Sequence, residues 1–379
     1  MPAISKALIV GGGIGGLTAA VALRRAGVKV DLVEIKKDWW VYGVGIIQPN
    51  NTLRALDRVG LAQVCVERGA PFPGWKIFDA HGNFLMDAPT SSLAAPHMPP
   101  INGITRPLLH QVLVEAMEAS GANARLGCAV ADICDLGEEV AVAFTDGCST
   151  GYDLVVGCDG VHSDMRERLF GTGLVPRYSG QAVWRYNLPR PASVEWGQVY
   201  FGPDTKVGLV PLSPTLMYMF LVTQEPEGTR IPEADLAKEM RHRLRGYDGL
   251  VGELRELIVD PAGVIERPLE HVLVPKPWYR GRVLLIGDAA HATTPHLAQG
   301  AAMAIEDAVL LGELLERAAP VDALLAEFMS RRFDRAKFVI DTSRQLSEWE
   351  LEQWSGVDNP AARPGALLHT ATQALMNDY

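Results

Sequence analysis

Ala7-Leu8-Ile9-Val10-Gly11-Gly12-Gly13-Ile14-Gly15-Gly16 is the stretch that decides the fold. Its apolar residues form a short buried strand, its glycines a tight turn, and Leu17 to Ala26 then repeats apolar residues at helical spacing until Gly27. Val28 to Glu34 alternates as a second strand, which completes a right-handed βαβ unit. Each glycine then has a task. Gly11 permits the turn, Gly13 lets the backbone approach a pyrophosphate, and Gly16 lets helix and strand pack closely. Unpaired N–H groups at the helix start, around Ile14 and Gly15, face the anion. Glu34, 18 residues after Gly16, ends the second strand, where a carboxylate accepts hydrogen bonds from ribose hydroxyls. The unit is built for a dinucleotide but does not say which one.

The rest of the chain sets bounds. At 379 residues it can bury a large core and is expected to hold two domains. A hydrophobic fraction of 48% and a mean hydropathy of +0.07 describe a soluble globule with no membrane-spanning run. No basic, apolar, cleavable leader precedes the first strand, so the expected location is the cytoplasm. A formal charge of -10 and a pI near 5.4 disfavour nucleic acid as a partner. Cys65, Cys128, Cys134, Cys148 and Cys158 are odd in number and lack CxxC spacing, which reads as reduced packing residues. His291 and His296 stand as H-x4-H without a carboxylate or Cys to complete a set, so no metal is expected.

Periodicity gives the organisation. From Val140 the pattern becomes a meander: Val140, Val142 and Phe144 alternate, Asp146-Gly147 turns, and Leu154 to Val156 follows as a further strand. Residues 176–265 are strand-rich, with antiparallel candidates Val183 to Leu188, Gln198 to Phe201, Val207 to Leu212 and Leu216 to Thr223. A buried strand, Val283 to Ile286, and a helix from about Ala301 to Leu315 come next. From about Asp322 the chain is mostly helical, with Trp349 and Trp354 as packing aromatics.

Several segments carry a resemblance. Tyr152-Asp153-Leu154-Val155-Val156-Gly157-Cys158-Asp159-Gly160, with Ser163 and Arg166, and Gly281 to His291, with Pro295 to Asp307, resemble the Asp-Gly and Gly-Asp segments of one family. It is the single-component (group A) flavoprotein aromatic monooxygenases, which share the p-hydroxybenzoate hydroxylase fold. Gly43-Val44-Gly45-Ile46 with Pro49-Asn50, and Thr105-Arg106-Pro107-Leu108-Leu109, are similar to two further flavin-contact segments. Pro295 to Gly300 is closest to the hydroxylases of salicylate and hydroxypyridine carboxylates.

The resemblance implies an α/β fold: a Rossmann-like FAD-binding domain built from discontinuous segments, an antiparallel β-sheet substrate domain and C-terminal helices. The FAD domain would comprise 1–72, 100–175 and 266–335, the substrate domain 73–99 and 176–265, and the helical segment 336–379. Asp288 would hold the ribityl hydroxyls, and the helix starting at Gly300-Ala301 would aim its positive end at the flavin pyrimidine edge. Gly45, Ile46, Arg106, Val130, Gly160 and Pro295 would line the cofactor. Asp159 orders the pyrophosphate wall or caps a turn. Where many relatives have Gly and Asn, this chain has Ala298 and Ala302, which implies a lost side-chain contact to the flavin ring.

The implied reaction is NAD(P)H-dependent hydroxylation of an electron-rich aromatic or N-heteroaromatic ring through a flavin C4a-hydroperoxide formed with O2. With one glycine fingerprint, NADH or NADPH would bind only transiently. Candidates for ring activation are His296 and Tyr218; Gln48, Arg185 and Tyr186 are candidates for substrate contact. The partner expected is a small aromatic molecule, and the state a monomer or homodimer. Rival readings are an NAD-dependent dehydrogenase, another flavoprotein of the same fold such as an oxidase, epoxidase or halogenase, and a non-catalytic flavin binder. The dehydrogenase would leave the Asp-Gly and Gly-Asp segments without a role, and no WxWxIP-type segment supports the halogenase.

Overall fold

The computed structural model describes residues 4–93 and 98–379. Four sheets are present among them. In the first, six strands run in the order Tyr279–Arg280, Val283–Leu285, Leu154–Gly157, Lys6–Val10, Lys29–Glu34 and Asn123–Leu126. All pairings are parallel except the first. Its central strands read Ala-Leu-Ile-Val, Leu-Val-Val and Val-Leu-Leu, runs that suit burial on both faces. The helices Ile14–Arg25 and Gly300–Leu315 cross tightly: a Cβ on Gly312 would lie 2.8 Å from that of Ala22.

Leu154–Gly157 is not a further strand of the meander. The meander stops at three strands, Val130–Asp135, Val140–Phe144 and Ser149–Tyr152. Asp153 then accepts hydrogen bonds from Ser5 N, Ser5 Oγ and Lys6 N at 2.6–2.9 Å, and this delivers the apolar run beside Lys6–Val10. An unbroken apolar run belongs in the doubly covered sheet.

A seven-stranded sheet has the order Ile265–His271, Arg177–Pro189, Leu216–Gln224, Thr205–Pro211, Gly197–Phe201, Gly74–Asp79 and Phe84–Pro89. The first of these begins one residue before the third FAD segment expected from sequence; as a polar edge strand containing Pro268, it carries little apolar alternation. One face of this sheet packs on the helices Leu236–Arg243 and Gly249–Arg255. The other faces the nucleotide half. A small sheet of Gly45–Gln48, Ile101–Thr105 and Ala70–Phe72 lies at that junction, with Ile101 in one apolar cluster with Val210 and Tyr218. The 34-residue helix Val321–Trp354 spans both halves: Phe328 sits in the nucleotide core and Trp354 packs against Val183, Val222 and Leu269. A shorter helix, Pro364–Met376, closes the chain. None of the described helices is long and apolar enough to cross a membrane.

Candidate active site

Three sequence-remote loops meet because their strands are neighbours. Val10, Gly157 and Leu285 end adjacent parallel strands, so Gly11–Gly16, Cys158–Gly160 and Ile286–Asp288 leave one edge side by side. Gly11 adopts φ +108°, and a Cβ there would lie 2.5 Å from the Cys158 carbonyl oxygen. At Gly16 it would fall 1.9 Å from the Gly11 carbonyl oxygen. Ile14 is buried, and Gly15 faces Ala304. Gly13 and Gly160, by contrast, border open space.

Glu34 anchors the turn it faces. Its Oε2 accepts from Gly12 N at 2.7 Å and its Oε1 from Lys36 N at 2.9 Å, which leaves lone pairs for hydroxyl donors. Sequence reasoning missed two supports of this loop. Trp39 lies over Gly12, and the buried His110 donates Nε2–H to the Gly12 carbonyl at 2.8 Å. Burial keeps the His110 imidazole below its usual pKa and hence neutral. Its one clue was its place four residues after Arg106, on the apolar face that Leu109, Leu113 and Met117 mark in the same helix. Val130 is buried at the start of its strand, two residues beyond Cys128, whose N–H bonds the Glu34 carbonyl.

The Asp159 carboxylate caps a turn, accepting from Ser163 Oγ at 2.6 Å and Met165 N at 2.9 Å. What remains for an anion at that wall is the backbone at Gly160. Arg166 ties the wall to the next loop by donating to Val161 O and Ala289 O. Asp288 differs. Protein surrounds it, so burial raises its pKa, with His291 and Arg106 opposing; yet its side chain is exposed to open space, and no donor among the described residues bonds it. Arg106 opens the helix Arg106–Ala119, its N–H bonded to Val44 O and its guanidinium in no ion pair among the described residues. An exposed carboxylate without donors among the described residues, at the same strand ends as two glycines that border open space, fits a polyol-linked dinucleotide such as FAD.

The loop from Pro295 makes a single 3-10 turn, and the helix begins at Gly300-Ala301. Beside Gly300 an added Cβ would meet only Thr293, at 3.9 Å. Ala298 occupies the left-handed region, φ 54° and ψ 32°, alone among the described non-glycine residues. Ala302 is buried with Met303, Val339 and Leu375.

On the substrate side, strand register sorts the candidates. Arg185 pairs with Phe220 and Asn187 with Tyr218, so Arg185 and Tyr218 are diagonal neighbours on one face. Gly45 lies against Tyr218: its added Cβ would meet the ring at 2.1 Å. The structure thus joins Gly45, Arg106, Arg185 and Tyr218. Burial pulls the Arg185 guanidinium below its usual pKa; Tyr218 opposes this, while Arg106 and Arg267 add to it. No carboxylate among the described residues pairs with it. Tyr218 is pushed up to about 12 by burial, which Arg185 opposes.

Two substrate candidates point elsewhere. Tyr186, adjacent to Arg185 on the strand, necessarily faces the opposite side and lies in the helix-backed core, its hydroxyl 3.4 Å from Asp260 N. Gln48 is buried, its amide oxygen accepting from Asn102 Nδ2 at 2.7 Å. His296 is turned toward this side, but both ring nitrogens are engaged, Nδ1 by Thr294 Oγ1 at 2.9 Å and Nε2 by Glu350 at 3.1 Å. Burial lowers the His296 pKa, helped by Lys206 and opposed by Glu350. Lys206 also pairs with Glu350, joining the sheet to the long helix. A cleft of about 300 Å³ is lined by Gly43-Val44, Tyr186-Asn187 and the Asp260–Ile265 turn, so Tyr186 borders it from the core side.

The family described as FAD binding domain matches residues 5–343. The chain belongs to it. Aurachin C monooxygenase/isomerase of Stigmatella aurantiaca is 33% identical over 349 residues, 90% of each chain. The 2-heptyl-3-hydroxy-4(1H)-quinolone synthase of Pseudomonas aeruginosa is 33% identical over 359 residues, covering 92% of this chain and 91% of that protein. The crystal structure of Klebsiella pneumoniae HpxO complexed with FAD and uric acid superposes with a TM-score of 0.85 at 24% identity, over 98% of this chain and 97% of that one. This member of the family is an FAD-dependent monooxygenase with the p-hydroxybenzoate hydroxylase-type fold.

Proposed function

We propose that this monooxygenase uses NADH or NADPH to hydroxylate an electron-rich aromatic or N-heteroaromatic ring that carries an anionic oxygen or carboxylate. Arg185 is the observation that carries the substrate class. A half-buried guanidinium beside two further arginines, with no carboxylate among the described residues to pair it, is costly unless the ligand brings negative charge. Relatives named for a quinolone product and a neighbour holding uric acid support a ring with ionisable oxygens. FAD, when bound, supplies the redox chemistry and activates O2. The chain's residues do the rest. Arg185 stabilises the substrate anion and so raises the ring's electron density, and the protonated Tyr218 hydroxyl donates to the ionising oxygen. Phe220, flat against Gly208, helps keep the face dry. Glu34, Asp288, Arg106 and the Gly13, Gly160 and Gly300 backbones hold the cofactor, lined by Gly45, Ile46, Val130, Pro295 and Ala301. His296 serves as base only if it releases Thr294 or Glu350. Gln48 and Tyr186 hold the walls from behind. The domain division expected from sequence, with the strand Ile265–His271 moved to the substrate sheet, a cytoplasmic location and action as a monomer or homodimer complete this reading.

The test is a panel of quinolones, purinones, hydroxypyridine acids and hydroxybenzoates, scored by stimulated NAD(P)H consumption and product mass. An anionic ring compound is expected to gain one oxygen atom, and Arg185→Met to raise its KM roughly 10- to 100-fold, the loss of a charged hydrogen bond of about 1.5–3 kcal/mol. Equal KM values in the two proteins would remove the anion from the reading.

A further inference from the structure

The segment from Gly287 to Gly300 carries Asp288 at one end and the helix start at the other, and both ends are fastened to one buried arginine. At the first end, Gly287 N donates to Asp307 Oδ2 at 2.9 Å, His291 Nε2 meets the same oxygen at 2.5 Å, and Arg332 Nε donates to Asp307 Oδ1 at 2.7 Å. At the other end, the Gln299 and Asn51 amides pair reciprocally at 2.9 and 3.1 Å. Asn51 Nδ2 also donates to Glu306 Oε1 at 2.8 Å, and Glu306 Oε2 accepts from Arg332 Nη1 at 2.7 Å and Arg335 Nε at 2.8 Å. Glu306, Asp307 and Arg332 are fully buried. The cluster balances two carboxylates with two guanidiniums.

A buried ion network is a poor device for stability alone, because apolar residues of similar volume stabilise as well or better. Apolar residues cannot, however, accept from the Gly287 N–H or orient the Gln299 amide. Arg332 is planar and forked, so it alone can hold the Asp307 and Glu306 carboxylates in fixed relation; a lysine is a single point donor. We infer that Arg332 is a positioning residue for the FAD site: acting through Asp307 and through Glu306–Asn51–Gln299, it fixes the spacing between Asp288 and the N-terminus of Gly300–Leu315. The inference rests on the FAD reading of that loop and adds a remote determinant of how FAD is held.

The experiment uses FAD-loaded protein and compares Arg332→Lys, Asn51→Ala and the control Leu325→Ala, a core truncation about two turns earlier on the same helix that takes no part in these hydrogen bonds. FAD dissociation is read from released flavin fluorescence, the flavin midpoint potential by dye equilibration, and stability by urea. Arg332→Lys and Asn51→Ala are expected to weaken FAD binding tenfold or more and to lower the midpoint potential, since a misaligned helix start stabilises the reduced, anionic flavin less. Leu325→Ala, though at least as destabilised, is expected to stay within twofold in affinity and unchanged in potential. Should Arg332→Lys fail to fold, Asn51→Ala decides, because it cuts one arm and leaves the charges balanced. Affinity and potential that stay at the starting values in Asn51→Ala, or that follow stability equally in variants and control, overturn the inference. Wild-type protein that retained no flavin would instead overturn the FAD reading, so the two failures are distinguishable.

Discussion

Ala298→Gly is expected to stabilise the protein although it removes a methyl group. At φ 54° and ψ 32°, Ala298 lies in the left-handed region, where a Cβ crowds the following carbonyl at a cost of about 1–2 kcal/mol. Glycine relieves that cost but gives the unfolded chain more freedom, which offsets about 0.4–1 kcal/mol. The net gain is about 0.5–1 kcal/mol, a rise in melting temperature of roughly 1 °C for a chain this long. The assay is urea unfolding of flavin-free protein, read as a midpoint shift at constant m, with Ala298→Val as counterpart. Valine, β-branched in the same backbone, is expected to cost at least about 1 kcal/mol. A neutral or destabilised glycine variant alongside an unaffected valine variant would refute the claim that this turn is held under strain.

Gly16→Ala is expected to yield protein without flavin, since its methyl would lie 1.9 Å from a backbone oxygen; a flavin-to-protein absorbance ratio equal to wild type would contradict this. Gly45→Ala pushes into the Tyr218 ring from 2.1 Å and is expected to lower product formed per NAD(P)H consumed, with overpacking costing about 1–3 kcal/mol; unchanged coupling would argue against Tyr218 at the reacting ring. Lys206→Met tests the Glu350 pair by pH. Burial pushes Glu350 up, but Lys206 and His296 overcome it and hold it down to about 2. A folded pKa below the unfolded one stabilises above about pH 4.5 and is lost as pH falls toward 2, so the variant, which keeps only the His296 contribution, is expected to lose part of about 3 kcal/mol at neutral pH and to acid-unfold at higher pH. An unchanged acid midpoint would show that Lys206 contributes nothing to the pair.

The fold was legible where periodicity and glycine chemistry agree. Val10 to Gly16 and the apolar runs at 154 and 283 specify parallel strands with loops at one edge, and those loops converge. The meander misled at Leu154 because three apolar residues in a row fit either setting until Asp153 is seen bonded to Ser5 and Lys6. At the substrate face, residue type pointed to Arg185 and Tyr186 together, but a strand's two-residue repeat allows only one of two neighbours to face a given side. His296 and the Gln48 amide oxygen were chosen for chemistry that sequence-remote partners, Glu350 and Asn102, already occupy. Arg332 and Glu350 left no local signal, because their partners lie 25 or more residues away.

The long helix is also a ruler. Arg332 and Glu350, on one unbroken rod, are spaced about 27 Å apart at 1.5 Å per residue, the first joined to the cofactor loop and the second to Lys206 in the sheet. Adding or deleting a single residue between them would swing one end by roughly 100° relative to the other and detach it. Length variation in this stretch is therefore closed to evolution unless compensated, whereas the outer loops remain free to drift.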